Sequence, residues 1–182
     1  MKDIKVIVAT HKEYQKWARK NSDHVENHIA MKHTKRLIDR FEHIKYGQSV
    51  ADVDECHKQR KRGDATKISG KTFSQNNMRP YPDKPSPTIP ASFQSNFIHP
   101  YINRNYTARE GARLQSFPDD YVFIDDQHPA KKRELGTHIG NAVPVELGRA
   151  IGMSIQQHLA EMGVNWWRIM GWKLEKQKRN NK

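Results

Sequence analysis

The segment TAREGARLQSFPDDYVF, residues 107–123, predicts a short helix with a complete N-terminal cap. Thr107 is followed three residues later by Glu110, which is the spacing of a capping box. In such a box the Thr hydroxyl accepts a hydrogen bond from a backbone N–H of the first turn, and the Glu carboxylate accepts one from the N–H of the cap residue. Pro118 cannot continue a helix, so we expect the helix to end near Ser116. Taken alone, the segment is a well-made helix without evident chemistry.

A second segment, HIGNAVPVELG at 138–148, leads into another predicted helix. Gly140-Asn141 is a turn signal, and Pro144 suits the first turn of a helix. The apolar residues that then recur at helical spacing are Leu147, Ile151, Ile155 and Leu159. An Asn and backbone amides before a helix could bind a small anionic group such as a carboxylate. A turn followed by a core-packing helix would account for the segment if it stood alone.

The chain is strongly basic and poor in apolar residues. It has 182 residues, with 32 Lys and Arg against 20 Asp and Glu, a net charge of +12, and 35% hydrophobic residues. This is the length of one domain or a large piece of one, with a thin core that a partner surface could complete. The positive field favours a polyanion as partner, with nucleic acid first and an anionic membrane second.

Neither a membrane span nor a metal site is expected from the sequence. No apolar run approaches the ~20 residues that a crossing needs, and the first residues lack the apolar core of a secretion signal. We therefore expect a cytoplasmic protein. Cys56 is the single cysteine and the ten histidines are scattered, so there is no disulfide framework and no zinc-ligand spacing.

Upstream, short predicted elements alternate with a long irregular region. Residues 4–9 (IKVIVA) predict a buried strand and residues 11–21 a short helix. Residues 34–47 predict an amphipathic helix, ended by glycine, whose apolar residues are Leu37, Ile38, Phe41 and Ile44. Residues 46–87 are rich in Gly, Pro, Asn and Ser, which predicts loops and short strands. The segment 88–102 has β-branched and aromatic residues broken by proline and is typical of a strand.

The irregular region carries many cationic and amide side chains. The cations are Lys58, Arg60, Lys61, Arg62, Lys71 and Arg79, and the amides are Gln75, Asn76 and Asn77. Arg and Lys suit phosphates and guanine edges, and Asn and Gln suit adenine edges. A solvated loop accounts for these residues equally well. Arg109 and Arg113 lie four apart on one face of the predicted helix and could meet a phosphate or a carboxylate.

Two segments together resemble the last two sequence motifs of the DNA (cytosine-5)-methyltransferases. RNYTAREGARLQSFPDDYVF at 104–123 and IGNAVPVELGRAIG at 139–152 agree with that family in order and spacing. The matching residues are Arg104, Thr107, Glu110, Arg113, Gln115, Phe117, Pro118, Gly140, Asn141, Ala142, Val143 and Pro144. Residues 27–50 and 79–93 resemble the lead-in and the end of the family's target-recognition region, so the resemblance covers about residues 22–162.

The resemblance implies a division of labour. In that family a large Rossmann-like domain binds S-adenosylmethionine and carries the cysteine that attacks a flipped cytosine, and a smaller domain reads the DNA. This sequence has no Gly-rich S-adenosylmethionine loop after a strand, no Pro-Cys loop, no Glu-Asn-Val and no Gln-x-Arg-x-Arg string. Cys56 lies in a highly charged stretch without a preceding proline, so we expect no catalytic residue in this chain.

The implied fold class is α+β. We expect a small, irregular, β-rich target-recognition domain, followed by a C-terminal helix that packs on a Rossmann-like, S-adenosylmethionine-binding catalytic domain absent from this sequence. The expected regions are 1–103 for target recognition, with DNA-reading loops at about 56–99, then 104–163 for the C-terminal motifs and packing helix, and 164–182 for a Trp-rich basic tail. The tail could stack on nucleic acid or close a small core.

The resemblance also assigns residues to roles. Those expected to contact DNA are Lys71, Gln75, Asn76, Asn77, Arg79 and Thr88. Those expected to touch the methionine end of S-adenosylmethionine are Asn141, Ala142 and Val143. Those expected to organise the recognition region are Arg104, Thr107, Glu110, Arg113 and Gln115.

Three functions are open at this point. The favoured one is a subunit of a split cytosine methyltransferase of a restriction–modification system, acting with a second polypeptide on duplex DNA in the bacterial cytoplasm, at the nucleoid. The second is a truncated, inactive remnant. The third is a stand-alone DNA-binding protein that reuses the recognition fold. The GNAVP string argues against the third, because a pure binder has no use for a loop that touches a cofactor.

Overall fold

A computed structural model describes residues 11–19, 25–61, 63–69, 76–123 and 132–164, which form a mixed α and β structure. The helices in them are α1 (His11–Arg19), α2 (Lys35–Glu42), α3 (Phe93–Asn96), α4 (Ala108–Leu114), α5 (Lys132–Asn141) and α6 (Val145–Glu161). A 3-10 turn spans Glu55–His57, and the strands are β1 (Arg60–Lys61) and β2 (Asp64–Ile68). The strand predicted at 4–9 and the tail from residue 165 lie outside the described residues.

α1, α2 and α6 form where the sequence predicted helices, and α2 is shorter than expected. α1 lies within residues 11–21, and α6 begins directly after Pro144. α2 ends at Glu42 instead of continuing towards residue 47. Gly47 instead occupies the turn beyond it with φ 78°, a left-handed conformation that costs glycine little.

The described residues contain less β-sheet than the β-rich domain that the sequence predicted. In the described residues the one ladder is the antiparallel pair β1–β2, with isolated bridges elsewhere. The strand predicted over 88–102 is wrong, because α3 occupies its centre. Phe93 and Phe97 are four residues apart, so one helical turn places both in the core, where they are 0% and 2% exposed. Prolines in the segment also remove the N–H groups that a ladder needs.

Two apolar clusters hold the described residues up to Ala142 together. The first joins α3, α4 and α5 and contains Ile89, Phe93, Phe97, Tyr106, Ala108, Ala112, Phe117 and Ile139. The second lies against α2 and contains Phe41, Ile44, Val50, Val53 and Ile98. A glycine permits the close approach of α3 and α4, since a Cβ added at Gly111 would lie 2.2 Å from the Phe93 ring.

The chain divides into two compact units, residues 1–142 and 143–182. The described part of the second unit is α6 with the short segments on either side of it. The functional borders expected at 103/104 and 163/164 remain predictions. Among the described helices, none combines the length and apolar character that a membrane crossing requires.

Candidate nucleic-acid interface and its scaffold

The motif at Thr107 forms the predicted capping box. Thr107 Oγ1 accepts a hydrogen bond from Glu110 N at 3.2 Å, and Glu110 Oε2 accepts one from Thr107 N at 2.8 Å. The same hydroxyl lies 2.9 Å from Nδ1 of His28. The box therefore fixes the start of α4 and also ties that start to a segment almost eighty residues earlier.

Glu110 is also the centre of a partly buried ion pair. Its Oε2 accepts from Arg104 Nη1 at 2.7 Å, and its Oε1 accepts from Arg104 Nη2 at 2.6 Å. Burial alone would raise the pKa of Glu110, but the bonds from Arg104 and from the Thr107 N–H outweigh burial and hold that pKa below its ordinary value. His99 Nε2 lies 3.7 Å from the carboxylate. Burial lowers the pKa of His99 more than Glu110 raises it.

Both arginines of α4 bind groups inside the protein. Arg113 donates to the two oxygens of Asp119 at 2.8 and 2.7 Å. The sequence left a phosphate or a carboxylate open as its partner, and the structure shows a carboxylate. The Asp119 side chain is 0% exposed. Arg109 is fully buried and donates to three main-chain carbonyls, those of Glu26, Pro118 and Tyr121.

Gln115 joins the two motifs. Its Nε2 donates to the carbonyl of Ile139 at 3.2 Å, 24 residues further along the chain, and to the carbonyl of Ala142 at 3.3 Å. Gln115 is 7% exposed, so these bonds form away from water, where an unpaired amide would be costly. The end of α4 and the end of α5 are therefore one buried scaffold.

Gly140 brings α5 against the segment before α3. A Cβ added there would lie 2.4 Å from Ala91 N and 2.5 Å from Pro90 C, distances that no side chain tolerates against main chain. The turn predicted at Gly140-Asn141 is wrong, because both residues belong to the last turn of α5. The glycine serves close packing of a helix rather than a chain reversal.

The three residues expected to touch the cofactor differ in exposure. Asn141, at the end of α5, has an exposed side chain. Ala142 is half-buried against the first apolar cluster. Val143 opens the second unit and is 65% exposed. Asn141 and Val143 therefore present side chains to solvent, and Ala142 presents mainly packing surface.

Of the residues expected to contact DNA, Lys71 and Gln75 lie outside the described residues. Asn76 and Asn77 are half-buried and Thr88 is exposed. The Asn76 carbonyl accepts a backbone hydrogen bond from the chain that follows α2. Asn77 has φ 51°, a left-handed conformation that Asn adopts more readily than most residues.

The surroundings of Arg79 contradict the expectation that it contacts DNA. Its guanidinium makes five hydrogen bonds, with the carbonyls of Phe41, Ile44, His99 and Pro100 and with Oδ1 of Asn103. Arginine has five N–H donors, so none remains for a base edge, and the residue is only 7% exposed. We therefore withdraw Arg79 from the DNA-contacting set. It fastens the 76–79 segment to α2 and to the 99–103 loop.

The sequence interpretation also missed residues whose roles depend on distant contacts. Asp119, Asn103 and the buried Arg40 of α2 are internal partners that no spacing marked. Among the described residues, no group of three His, Cys, Asp or Glu side chains could hold a metal ion. Cys56 is exposed at the 3-10 turn.

Comparison with known proteins identifies the family. The family model of the C-5 cytosine-specific DNA methylases matches residues 2–157. The chain is 56% identical over 160 residues to the type II methyltransferase M.DdeI of Desulfomicrobium norvegicum, covering 86% of this chain and 39% of that protein. It is 29% identical over 145 residues to the type II methyltransferase M.AquIB of Picosynechococcus sp., covering 76% of this chain and 93% of that protein.

The chain belongs to the C-5 cytosine-specific DNA methylase family, since the family model matches most of its length. This confirms, at the level of the family, the resemblance carried by the two motifs. Members of the family act on DNA and generally use S-adenosylmethionine as methyl donor. The chain spans 39% of the Desulfomicrobium relative and 93% of the Picosynechococcus relative.

Proposed function

We propose that this chain is the target-recognition and C-terminal part of a DNA (cytosine-5)-methyltransferase. It completes an enzyme whose catalytic cysteine and main S-adenosylmethionine-binding domain lie on a second polypeptide. The observation that carries the proposal is the bonding of Gln115 to the carbonyls of Ile139 and Ala142. This bonding joins the family's last two motifs into one buried scaffold, as a working recognition part requires.

The DNA-facing part of the proposal rests on charge and exposure. The net charge of +12 attracts a polyanion from a distance. Thr88 is exposed, and Asn76 and Asn77 keep part of their surface open at the end of the 71–77 segment. Together with Lys71 and Gln75, these residues are the proposed DNA contacts. Arg79, two residues after Asn77, fastens the 76–79 segment to α2 and to the 99–103 loop.

The cofactor-facing part of the proposal uses Asn141 and Val143, with Ala142 as packing. Asn141 and Val143 have exposed side chains. A cofactor that is held mainly by another domain can be contacted only by exposed side chains of this chain. An amide can hydrogen-bond the amino or carboxylate group of a methionine moiety, and a valine can cover its methylene groups. S-adenosylmethionine, when bound, supplies the methyl group. The chain's own contribution is to orient one end of it.

The apolar stripe of α6 is the proposed contact with the catalytic domain. No residue of α6 is buried, and Leu147, Ile151 and Ile155 are 51%, 50% and 55% exposed. Full burial of such a side chain contributes about 1.5–3 kcal/mol, so a helix of this kind gains by being covered. A catalytic domain that covers the stripe would account for it on so polar a chain.

The second polypeptide is supported by the Picosynechococcus relative. The match covers 93% of that protein, so a protein that bears the name of a type II methyltransferase consists of little beyond the segment shared with this chain. The present sequence contains no Pro-Cys loop. A truncated remnant would share these features, and activity after mixing with a catalytic half separates the two possibilities.

Complementation tests the proposal. The chain is mixed with the part of the Desulfomicrobium methyltransferase that lies outside the 39% matched here, and transfer of a tritiated methyl group from S-adenosylmethionine to duplex DNA is measured. We expect no transfer by either polypeptide alone and transfer to cytosine by the mixture. Transfer by this chain alone would contradict the absence of a nucleophile, and an inactive mixture of two folded, associated polypeptides would favour the remnant.

A further inference from the structure

Two histidines accept hydrogen bonds from backbone N–H groups on either side of Arg104. Asn105 N donates to Nε2 of His33 at 3.2 Å, although the two residues lie 72 apart in the chain. Tyr101 N donates to Nδ1 of His99, also at 3.2 Å. A backbone N–H can only donate, and an imidazole nitrogen accepts only when it carries no proton. Both rings are therefore neutral in this structure.

The two hydrogen bonds fix opposite tautomers. Nε2 is the acceptor in His33, so the proton of that ring is on Nδ1. Nδ1 is the acceptor in His99, so its proton is on Nε2, which lies 3.7 Å from Oε1 of Glu110. The neighbouring His28 is not fixed in this way, because its Nδ1 lies 2.9 Å from the Thr107 hydroxyl, which can donate or accept. His33 and His99 are thus each tied to one protonation state.

The loop between these two contacts supports Arg79. Residues 99–105 form the loop, which is closed by an isolated antiparallel bridge between Ile98 and Asn105. His33 lies two residues before α2 and ties the loop to the start of that helix. Arg79 donates to three acceptors in the loop, which are the carbonyls of His99 and Pro100 and Oδ1 of Asn103. Release of the loop would therefore remove part of the support of Arg79.

Protonation would break both hydrogen bonds. A charged imidazole carries a proton on each nitrogen, so it would point an N–H at the backbone N–H of Asn105 or of Tyr101. Burial lowers the pKa of His33, and the Arg104 guanidinium lowers it further. The Phe41 ring, edge-on to His33 with centroids 5.4 Å apart, offers no counter-charge. The folded state therefore resists protonation of this ring.

His99 has one anion and several basic groups around it. Burial lowers the pKa of His99 more than the Glu110 carboxylate raises it. The groups that lower this pKa further are Arg104, Arg79 and His28. The rings of Tyr101 and Tyr106 also face His99, with centroids 6.0 and 5.9 Å away. Burial raises the pKa of Tyr106 to about 12, which keeps that phenol uncharged. The surroundings of His99, like those of His33, therefore favour the neutral ring.

We propose that His33 and His99 form an acid-sensitive latch on the 99–105 loop, closed when both rings are neutral and opened by protonation of either. The ordinary pKa of histidine is 6.5, and both folded values lie below it. As pH falls below 6.5, the unfolded chain binds protons that the folded chain does not. The stabilisation by the latch is therefore complete above that pH and is lost as pH falls through the lower folded values. The latch belongs to the fold of this chain and does not depend on the proposed function.

Nuclear magnetic resonance of the imidazole nitrogens tests the protonation states. The full chain is labelled with ¹⁵N-histidine, and proton–nitrogen correlation spectra of the rings are recorded from about pH 8 to about pH 5, the range in which histidine changes charge. Spectra of His33→Gln and His99→Asn assign the two rings. We expect His33 to carry its proton on Nδ1 and His99 on Nε2 at the upper end of the range. Both rings should titrate below pH 6.5.

A variant that keeps the acceptors but cannot titrate tests the effect on stability. In His33→Gln the new Oε1 can replace Nε2, and in His99→Asn the new Oδ1 can replace Nδ1, so the latch variant combines the two. The matched control combines His138→Gln with His158→Asn, at two exposed positions. Urea unfolding followed by circular dichroism at each pH gives the unfolding equilibrium constant.

We expect acidification to raise the logarithm of this constant less steeply in the latch variant. The difference in slope from the unsubstituted chain should reach up to about one per pH unit for each replaced histidine, because each stands for one proton bound on unfolding. The control should keep the slope of the unsubstituted chain. This pattern assigns the acid sensitivity to the two rings that accept backbone N–H groups.

Three results would overturn the latch. A proton on Nε2 of His33 or on Nδ1 of His99 at the upper end of the pH range would mean that the backbone bonds do not form. Equal slopes in the latch variant and the unsubstituted chain would mean that protonation of these rings opens nothing. An equal flattening in the control would assign the acid sensitivity to histidines in general. The spectra of the unsubstituted chain decide the first point even where a variant folds poorly.

Discussion

Replacement of Arg79 by methionine should strongly destabilise the protein. Methionine fills a similar space but leaves all five acceptors of the guanidinium without their donor. The bonds to the Phe41 and Ile44 carbonyls, both 2.7 Å, are fully buried, and hydrogen bonds to a charged group contribute about 1.5–3 kcal/mol each. The other three acceptors are nearer to water and can be partly resolvated. We therefore expect a loss of about 3–6 kcal/mol.

Urea denaturation followed by circular dichroism measures this loss. Arg79→Lys should recover part of it, because an ammonium offers three donors where the guanidinium offers five. Arg149→Met is the matched control: Arg149 is 64% exposed and pairs with Glu146 on α6, so its loss should cost under about 0.5 kcal/mol. If Arg79→Met unfolds at the same urea concentration as the control, the carbonyl cradle is not what stabilises this region, and the residue returns to the candidate base contacts.

Three further predictions concern the scaffold and α6. Gly140→Ala should lower the free energy of unfolding by about 1–3 kcal/mol in the same urea assay, because the added Cβ would lie 2.4 Å from main chain. Gly152→Ala is the control: its Cβ meets open space, so it should be neutral or slightly stabilising. The pKa of Glu110 is lowered from 4.5, so the ionised carboxylate stabilises the fold fully above that pH, and the stabilisation is lost as pH falls through the lower folded value. The difference in Tm between the unsubstituted chain and Glu110→Gln should therefore shrink on acidification. A constant difference would contradict the ion-pair account. Ile151→Glu should leave the chain's own Tm unchanged, since the residue is 50% exposed, yet abolish methyl transfer in the complementation assay, while Gln156→Glu should preserve it.

The features that the sequence predicted best are those set by near neighbours. The capping box of Thr107 and Glu110 spans four residues, so its geometry follows from local spacing alone. α6 was equally predictable, because a proline before an apolar repeat marks both the start of a helix and its apolar face. The resemblance to the methyltransferase motifs rested on the same short segments, and the family match confirms it.

The features that the sequence could not predict depend on distant main-chain groups. An arginine beside asparagines looks like a base reader, and nothing local to Arg79 shows that carbonyls from residues 41–44 and 99–100 surround it. The 88–102 segment failed for a related reason. Phe93 and Phe97 suit a strand or a helical turn, and only their packing against α4 and α5 decides between them.

The cradle of Arg79 has an evolutionary consequence. Four of its five acceptors are peptide oxygens, which exist whatever side chain a position carries. Substitutions at those positions therefore leave the fastening intact, provided that the backbone keeps its path. Phe41 and Ile44 are still constrained by the second apolar cluster and Asn77 by its left-handed backbone, but the cradle itself depends on only one surrounding side chain, that of Asn103. A fastening made to peptide oxygens therefore tolerates sequence change better than one made to side chains.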